Sequence, residues 1–415
     1  MTAPPRSVST LTPRFAALHA RDYRRYFLLA LLSMTAENIE HVISYWVMFQ
    51  KFHSPTLAGF AVISHWVPFL LFSFHSGAVA DRHDCRKLIQ VAQGLFMLAS
   101  GLWGVLFLTD TLAVWHAVVL LLIHGAAGVI ISPAVQLIIH DMVSPAQLPS
   151  AIRLNASSRH LAILLGPAVG GGLMLLLGPA GGLLANVLIY LPFTIFLARV
   201  PYTGHTERPG GRSRPEPHLR DAWVLLAQMR ADRRLMTMML LGGATSFFVG
   251  SAFQAQMPEY AHDLGSDEAG VWYSVLLAAN AGGAILGAVL LESANVVQPG
   301  ARAAILAAAA WGVTIGLFAV ARSYPVAVTL LVLAGVFNIA FSSIAQTLVQ
   351  MLAPPHVRGR VVGLFNTANL GLRAGSGVTV GVLGALINVH WSLVLSAAAV
   401  VATCLALLAR EARGP

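Results

Sequence analysis

Residues 26–49 read YFLLALLSMTAENIEHVISYWVMF. At about 1.5 Å of rise per residue, a helix of this length crosses a hydrocarbon core of about 30 Å. Yet Glu37, Glu40 and His41 stand near its middle. Residues three and four apart share a helix face, so Glu37, Glu40, His41, Ser44 and Tyr45 form one polar stripe opposite mostly Leu, Ile, Val and Met. An acidic side chain at the bilayer centre costs roughly 2.5–3.5 kcal/mol on insertion scales and is tolerated when it faces a bundle interior or a watery cavity. The plain reading is a carboxyl pair that hydrogen-bonds to neighbouring helices and locks a bundle. The functional reading makes Glu37, Glu40 and His41 proton carriers, His41 sharing a proton with the carboxylate one turn away.

The whole chain agrees with a membrane setting. It has 415 residues, 57% hydrophobic and 10% charged, against about 25% charged in a soluble domain. Its two cysteines, Cys85 and Cys404, fall in a loop and in the last apolar run, and make neither a disulfide framework nor a metal signature. The first 25 residues are polar, basic and proline-containing, unlike a cleavable signal. The formal charge of +9 is spread over alternate loops rather than a basic patch with interleaved aromatics, so no nucleic acid is expected as a partner.

Twelve apolar spans can be drawn: 26–49, 57–80, 88–108, 112–138, 155–178, 181–200, 235–257, 270–291, 302–321, 325–351, 361–387 and 391–410. A Pro-, Gly- and Arg-rich interruption divides them into two sets of six. The expected organisation is a cytoplasmic tail (1–25), a six-helix bundle (26–200), a cytoplasmic linker with a surface helix (201–234), a second six-helix bundle (235–410) and a short tail (411–415). With the N-terminus in the cytoplasm, 22 of the 26 Lys and Arg lie in loops and tails on that side and two lie outside, a strong positive-inside bias. At an offset of 210 residues, Gly77 pairs with Gly287, Pro145 with Pro355 and Gly171 with Gly381, in keeping with two similar halves.

Three motifs follow. Between the second and third spans stands Gly77-Ala-Val-Ala-Asp81-Arg82-His-Asp84-Cys85-Arg86-Lys87. Here Gly77 would let another helix approach, Asp81 would meet the positive end of a neighbouring helix, and the basic residues would anchor the turn in the cytoplasm. The fifth span holds Gly166-Pro167-Ala-Val-Gly170-Gly171, where proline and clustered glycines would bend the helix and let it pack tightly. The third is Pro355-His-Val-Arg358-Gly359-Arg360-Val361. These segments resemble the signature loop, the fifth-helix antiporter motif and the opening of the eleventh helix in the major facilitator superfamily. The third motif is similar to that of the third drug:proton antiporter group, which includes siderophore and macrolide exporters. The resemblance implies an all-α membrane protein of twelve helices in two pseudo-symmetric six-helix bundles, with Gly77, Asp81, Arg82, Arg86, Arg358 and Arg360 at the inner gate. Two departures stand out. Cys85 replaces a usual arginine, and no Lys or Arg occurs between Lys87 and Arg153, where relatives carry a fourth-helix arginine. His116 and His124 lie in that span instead.

Candidate cargo-binding side chains are Arg159, Asn280, Asn338, Gln346, Asn366, Asn369 and Arg373, polar positions within otherwise apolar spans. Their bland role is interhelical hydrogen bonding. A guanidinium does not deprotonate in proteins, so Arg159 or Arg373 is expected to pair with Glu37 or Glu40 in at least one conformation. Histidines 41, 65, 75, 116, 124 and 160 lie in or near the early spans. With no H-x-x-x-H pair and no cysteine among them, each reads singly as a packed side chain, and no metal site is expected.

The resulting expectation is a multi-pass transporter of the bacterial cytoplasmic membrane that exports a small, drug-like molecule or metabolite in exchange for protons. It would need no cofactor beyond the proton gradient and would act as a monomer. The first alternative is an exporter of an anionic, siderophore-type metabolite gripped by Arg159 and Arg373; the second is a metal-ion carrier using the histidines. An enzyme is not expected, for want of a nucleophile–base pair or a metal cluster at an interface, and the loops are too short for a sensor domain.

Overall fold

A computed structural model describes residues 15–205, 229, 232–265, 270–294, 300–354 and 358–412. The described residues form helices and no strand. Helices α1 (Arg21–Phe52), α2 (Pro55–Arg82), α3 (Cys85–Leu108), α4 (Val114–Met142) and α5 (Leu148–Arg199) come before residue 200. After it come α6 (Arg233–Phe248), α7 (Ala252–Ala255), α8 (Met257–Asp263), α9 (Val271–Ala294), α10 (Ala301–Ala319) and α11 (Tyr324–Leu352). The last run holds α12 (Arg358–Asn366), α13 (Arg373–Ser376), α14 (Leu383–Ile387) and α15 (Val389–Ala412). The expected surface helix at 218–234 falls largely outside the described residues.

Ten of the described helices are long and apolar enough to cross a membrane. One of them, Leu161–Arg199, has 39 residues, about twice what a crossing needs. The run holding it breaks at Gly178, whose φ of 71° is open to glycine and costly for other residues. Helix α1 is long enough at 32 residues, and Glu37, Asn38, Glu40 and His41 near its middle lower its hydropathy. Adding α1 and the second arm beyond Gly178 would make the twelve crossings expected.

Local chemistry sets the turns. The Ser54 hydroxyl accepts from the Leu57 amide at 3.2 Å, and Pro55 starts α2 with the φ that a helix requires. Asp84 likewise caps α3, accepting from the Arg86 amide at 2.9 Å. Inside the membrane, buried polar side chains tie helices together. Gln93 exchanges hydrogen bonds with Ser33, and the Asn186 amide donates to the Ala36 carbonyl at 2.9 Å and to the Ser100 hydroxyl at 3.2 Å.

The helices before and after residue 200 meet toward the end of the molecule that holds Ser54. Gln256 donates to the Pro55 carbonyl at 2.8 Å, Tyr273 to the Val42 carbonyl at 3.0 Å, and Trp66 to the Ser251 hydroxyl at 3.3 Å. Backbones touch there: a Cβ on Gly381 would lie 2.3 Å from the Gly59 Cα, so this contact admits only glycine.

Candidate functional site

The polar stripe of α1 faces α2 and α4, and three histidines stand at one depth. His41 lies eleven residues before the Phe52 end of α1. His65 lies ten residues after Pro55 and His124 ten after Val114, the starts of α2 and α4 at the same end of the molecule. At about 1.5 Å per residue, each is about 15 Å down its helix, close to the middle of a bilayer core.

The rings form a tight group. Centroids of His41 and His124 are 4.6 Å apart, His41 and His65 5.0 Å, and His65 and His124 5.5 Å. His41 Nε2 lies 2.8 Å from His124 Nε2, so one proton is shared between them. On its other edge, His124 Nδ1 is 2.7 Å from Glu40 Oε1. That carboxylate is 1% exposed, His124 4% and His65 8%, too little for water to replace these partners. Among the described residues, Glu40 Oε2 and His65 Nδ1 have no hydrogen-bond partner, an expensive state for buried polar atoms. Glu37 completes the group: one ligand-type atom each of Glu37, His41, His65 and His124 lies within 4.8 Å of the others.

Packing explains the closeness. Gly125, next to His124, seats α4 on the backbone of α2, where a Cβ would lie 2.1 Å from the Ser64 carbonyl oxygen. On the other flank of α1, Gly166 abuts Asn38 and Gly170 abuts Ile39 and Val42, while Gly171 meets Ser274. The fifth-span motif thus gives the expected tight packing, but the helix continues through Pro167 and breaks later, at Gly178.

Other candidates fall elsewhere. In this conformation Glu40 pairs with His124, the imidazole that α4 brings within reach; the expected arginine pairing concerns at least one conformation of the protein. Arg373 lies 5.1 Å over the Trp66 ring, with its buried Nε lacking a partner among the described residues. It sits between two π-helical stretches, Thr367–Gly371 and Gly377–Val382, a widening common at functional sites. Arg159 is exposed and feels the charge of Arg373. Asn280 donates to the Leu331 carbonyl, and Asn369 accepts from Ser246, so both act between helices. Asn338 is half-buried, and Gln346 and Asn366 are exposed.

His116 is no substitute for a fourth-helix arginine: its Nδ1 accepts from the Ala113 amide at 3.0 Å and caps α4. His124 is the titratable group of that span which reaches the site.

At the loop that holds Asp81, a Cβ on Gly77 would meet nothing within 4 Å among the described residues. Asp84 caps α3 and grips Arg86, with Arg86 Nη2 2.7 Å from Asp84 Oδ2. Arg86 also donates to the Val200 carbonyl, tying this turn to the end of α5. The guanidinium holds the Asp84 carboxyl below the usual carboxylate range. Asp81 and Arg82 are exposed. The side chains of Arg358 and Arg360 lie outside the described residues.

Sequence reasoning named Glu37, Glu40 and His41 together but left His65 and His124 unassigned. Their equal distance from the ends of α2 and α4 is the signal that joins them.

Comparison with known proteins agrees with this architecture. The profile of the transmembrane secretion effector family matches residues 12–413. The staphyloferrin A transporter of Staphylococcus aureus is 21% identical over 164 residues, 38% of this chain and 41% of that protein's length. The nucleoside transporter NupG superposes with a TM-score of 0.73 at 14% identity, over 94% of this chain and 98% of its own. A D-xylose–proton symporter gives 0.69 at 16% identity, over 92% and 97%. The chain belongs to the transmembrane secretion effector family of the major facilitator superfamily, and is a multi-pass membrane transporter.

Proposed function

We propose that the protein exports a small molecule from the cytoplasm in exchange for protons, and that Glu40, His124 and His41 carry the proton. The hydrogen-bonded chain from Glu40 through both ring nitrogens of His124 to His41 supports this reading. In one state His41 Nε2–H donates to His124 Nε2, and His124 Nδ1–H donates to the Glu40 carboxylate. A proton arriving at His41 Nδ1 lets the Nε2 proton pass to His124. His124 is then an imidazolium that donates to both neighbours. The His41–His124 bond reverses without either ring moving, so charge changes at mid-membrane depth at little structural cost. Glu37 and His65 lie beside the relay as further acceptors.

A second reading concerns the cargo. Arg373, with a buried Nε that lacks an acceptor and Arg159 in electrostatic range, favours an anionic metabolite over a cationic drug. The partial likeness to a staphyloferrin A transporter points the same way.

The test is transport in inverted vesicles holding the full chain, with a labelled polycarboxylate and a cationic dye offered in parallel. A pH gradient, acid inside, is expected to drive uptake of the polycarboxylate, and Glu40→Gln to lose that drive. Full-rate uptake by a Glu37→Gln/Glu40→Gln double variant would overturn the proton scheme, and uptake of the dye alone would overturn the anionic cargo.

A further inference from the structure

The geometry points to a binding site for a divalent transition-metal ion, of the Zn²⁺ type, made by Glu37, His41, His65 and His124. It rests on the architecture of this cluster and not on the transport reading.

Four observations carry it. First, the donor set is three imidazoles and a carboxylate from α1, α2 and α4. Imidazole suits Zn²⁺, Ni²⁺, Cu²⁺ and Fe²⁺, whereas Mg²⁺ and Ca²⁺ call for oxygen-rich shells. Second, the spacing is close to that of a metal site. A tetrahedral ion at about 2.0–2.1 Å from each nitrogen sets its ligands roughly 3.3 Å apart. Here the four atoms lie within 4.8 Å of one another, and His41 Nε2 and His124 Nε2 are 2.8 Å apart. The farthest pair must close by about 1.5 Å and the nearest open by about 0.5 Å, which small rotations of long side chains supply.

Third, His124 is oriented as metal-bound histidines are. Its Nδ1 is held by Glu40 at 2.7 Å, which turns Nε2 toward the cluster. A carboxylate behind a ligating imidazole fixes its tautomer and raises its basicity. Fourth, hydrogen bonds alone leave the group unfinished. His65 is 92% buried with no partner on Nδ1, and Glu40 Oε2 is buried without one.

All four ligands stand on helices that precede residue 200, so the site does not depend on contacts with the later helices. An ion on His124 Nε2 takes the lone pair that accepts the His41 proton, so the metal-bound and proton-relay forms of the cluster exclude each other, and the relay belongs to the metal-free protein.

The experiment is a titration of the purified full-length protein, stripped with chelator in detergent, with Co²⁺ and then Zn²⁺. The expected result is the intense visible spectrum of tetrahedral cobalt, appearing at one equivalent and removed by Zn²⁺, together with a Zn²⁺-dependent rise in melting temperature. His65→Gln should lower Co²⁺ and Zn²⁺ affinity at least tenfold, Glu40→Gln should weaken Zn²⁺ affinity about 10–100-fold, and His116→Gln should change neither. Where His65→Gln fails to fold, Glu37→Gln serves and should lower Co²⁺ and Zn²⁺ affinity at least tenfold, a water completing the shell. A wild-type protein with no cobalt bands and no shift overturns the site. So does a weak octahedral spectrum, or full affinity in the His65 or Glu37 variant. Vesicle transport in excess chelator tests the proton scheme separately, so failure of one leaves the other standing.

Discussion

Replacing Gly125 by alanine tests whether helix packing, and not residue identity alone, makes the site. The added Cβ would stand 2.1 Å from the Ser64 carbonyl oxygen and 3.0 Å from its carbon, both backbone atoms that cannot rotate away. Bringing that oxygen out to about 3.4 Å, an ordinary contact, requires α2 and α4 to part by about 1.3 Å at this level. Overpacking of this kind costs about 1–3 kcal/mol, so the protein should fold with reduced thermal stability. The displacement falls beside His65 and His124, whose rings are 5.5 Å apart. A shift of that size is enough to spread donor atoms now within 4.8 Å and to strain the 2.8 Å bond to His41. Gly125→Ala should therefore lose most proton-driven transport and most cobalt binding, although every titratable residue is retained. Flux, cobalt absorption and melting temperature measured on one preparation decide it. Wild-type values for all three would refute the claim that this contact sets the geometry.

Three further perturbations have definite outcomes. Arg373→Ala should raise the half-saturating concentration of an anionic cargo at least tenfold, about 1.4 kcal/mol, while a neutral dye, if carried, is unaffected; a radiolabel flux assay over a concentration series reads it. Gly381→Val puts a side chain where a Cβ already lies 2.3 Å from the Gly59 Cα, so it should open the Ser54 end and speed labelling of a cysteine placed at Ser54 by a membrane-impermeant thiol reagent. Asp84→Asn probes the turn at α3. Because Arg86 lowers the folded-state pKa of this carboxyl, its contribution is fully present above the unfolded value near 3.9 and fades as pH falls through the lower folded value. The variant should thus melt below wild type at pH 7, with the gap shrinking under acid, as read by thermal unfolding across pH.

Much of this was legible in the sequence, for identifiable physical reasons. Spans follow from hydropathy because lipid tolerates no unsatisfied backbone, and the break at Gly178 follows from a glycine followed by proline. The stripe on α1 was visible because helical periodicity is a local property. What escaped was pairing between helices. Nothing within α1 says that Glu40 will meet His124 sooner than an arginine; that depends on Gly125 bringing α4 onto α2. The same limit applies at Gly77. A glycine permits close approach but does not cause it: no described atom would meet a Cβ there, whereas its repeat partner Gly287 sits against Val336 and Ile339.

The arrangement also constrains how the proposed coupling would work. Glu40, His41, His65 and His124 belong to α1, α2 and α4, and these pack on one another. The seams between earlier and later helices run instead through Pro55–Gln256, Val42–Tyr273 and Trp66–Ser251. A rocking motion that breaks those seams would leave the cluster whole, so the cluster cannot sense the motion by being pulled apart. The covalent neighbours His65 and Trp66 offer the link. One belongs to the buried histidine group; the other donates to Ser251 at 3.3 Å and carries the Arg373 guanidinium 5.1 Å over its ring. Charge added among the histidines repels that guanidinium across Trp66, and an anion bound at Arg373 offsets the repulsion. On this account, proton and cargo communicate through one turn of α2.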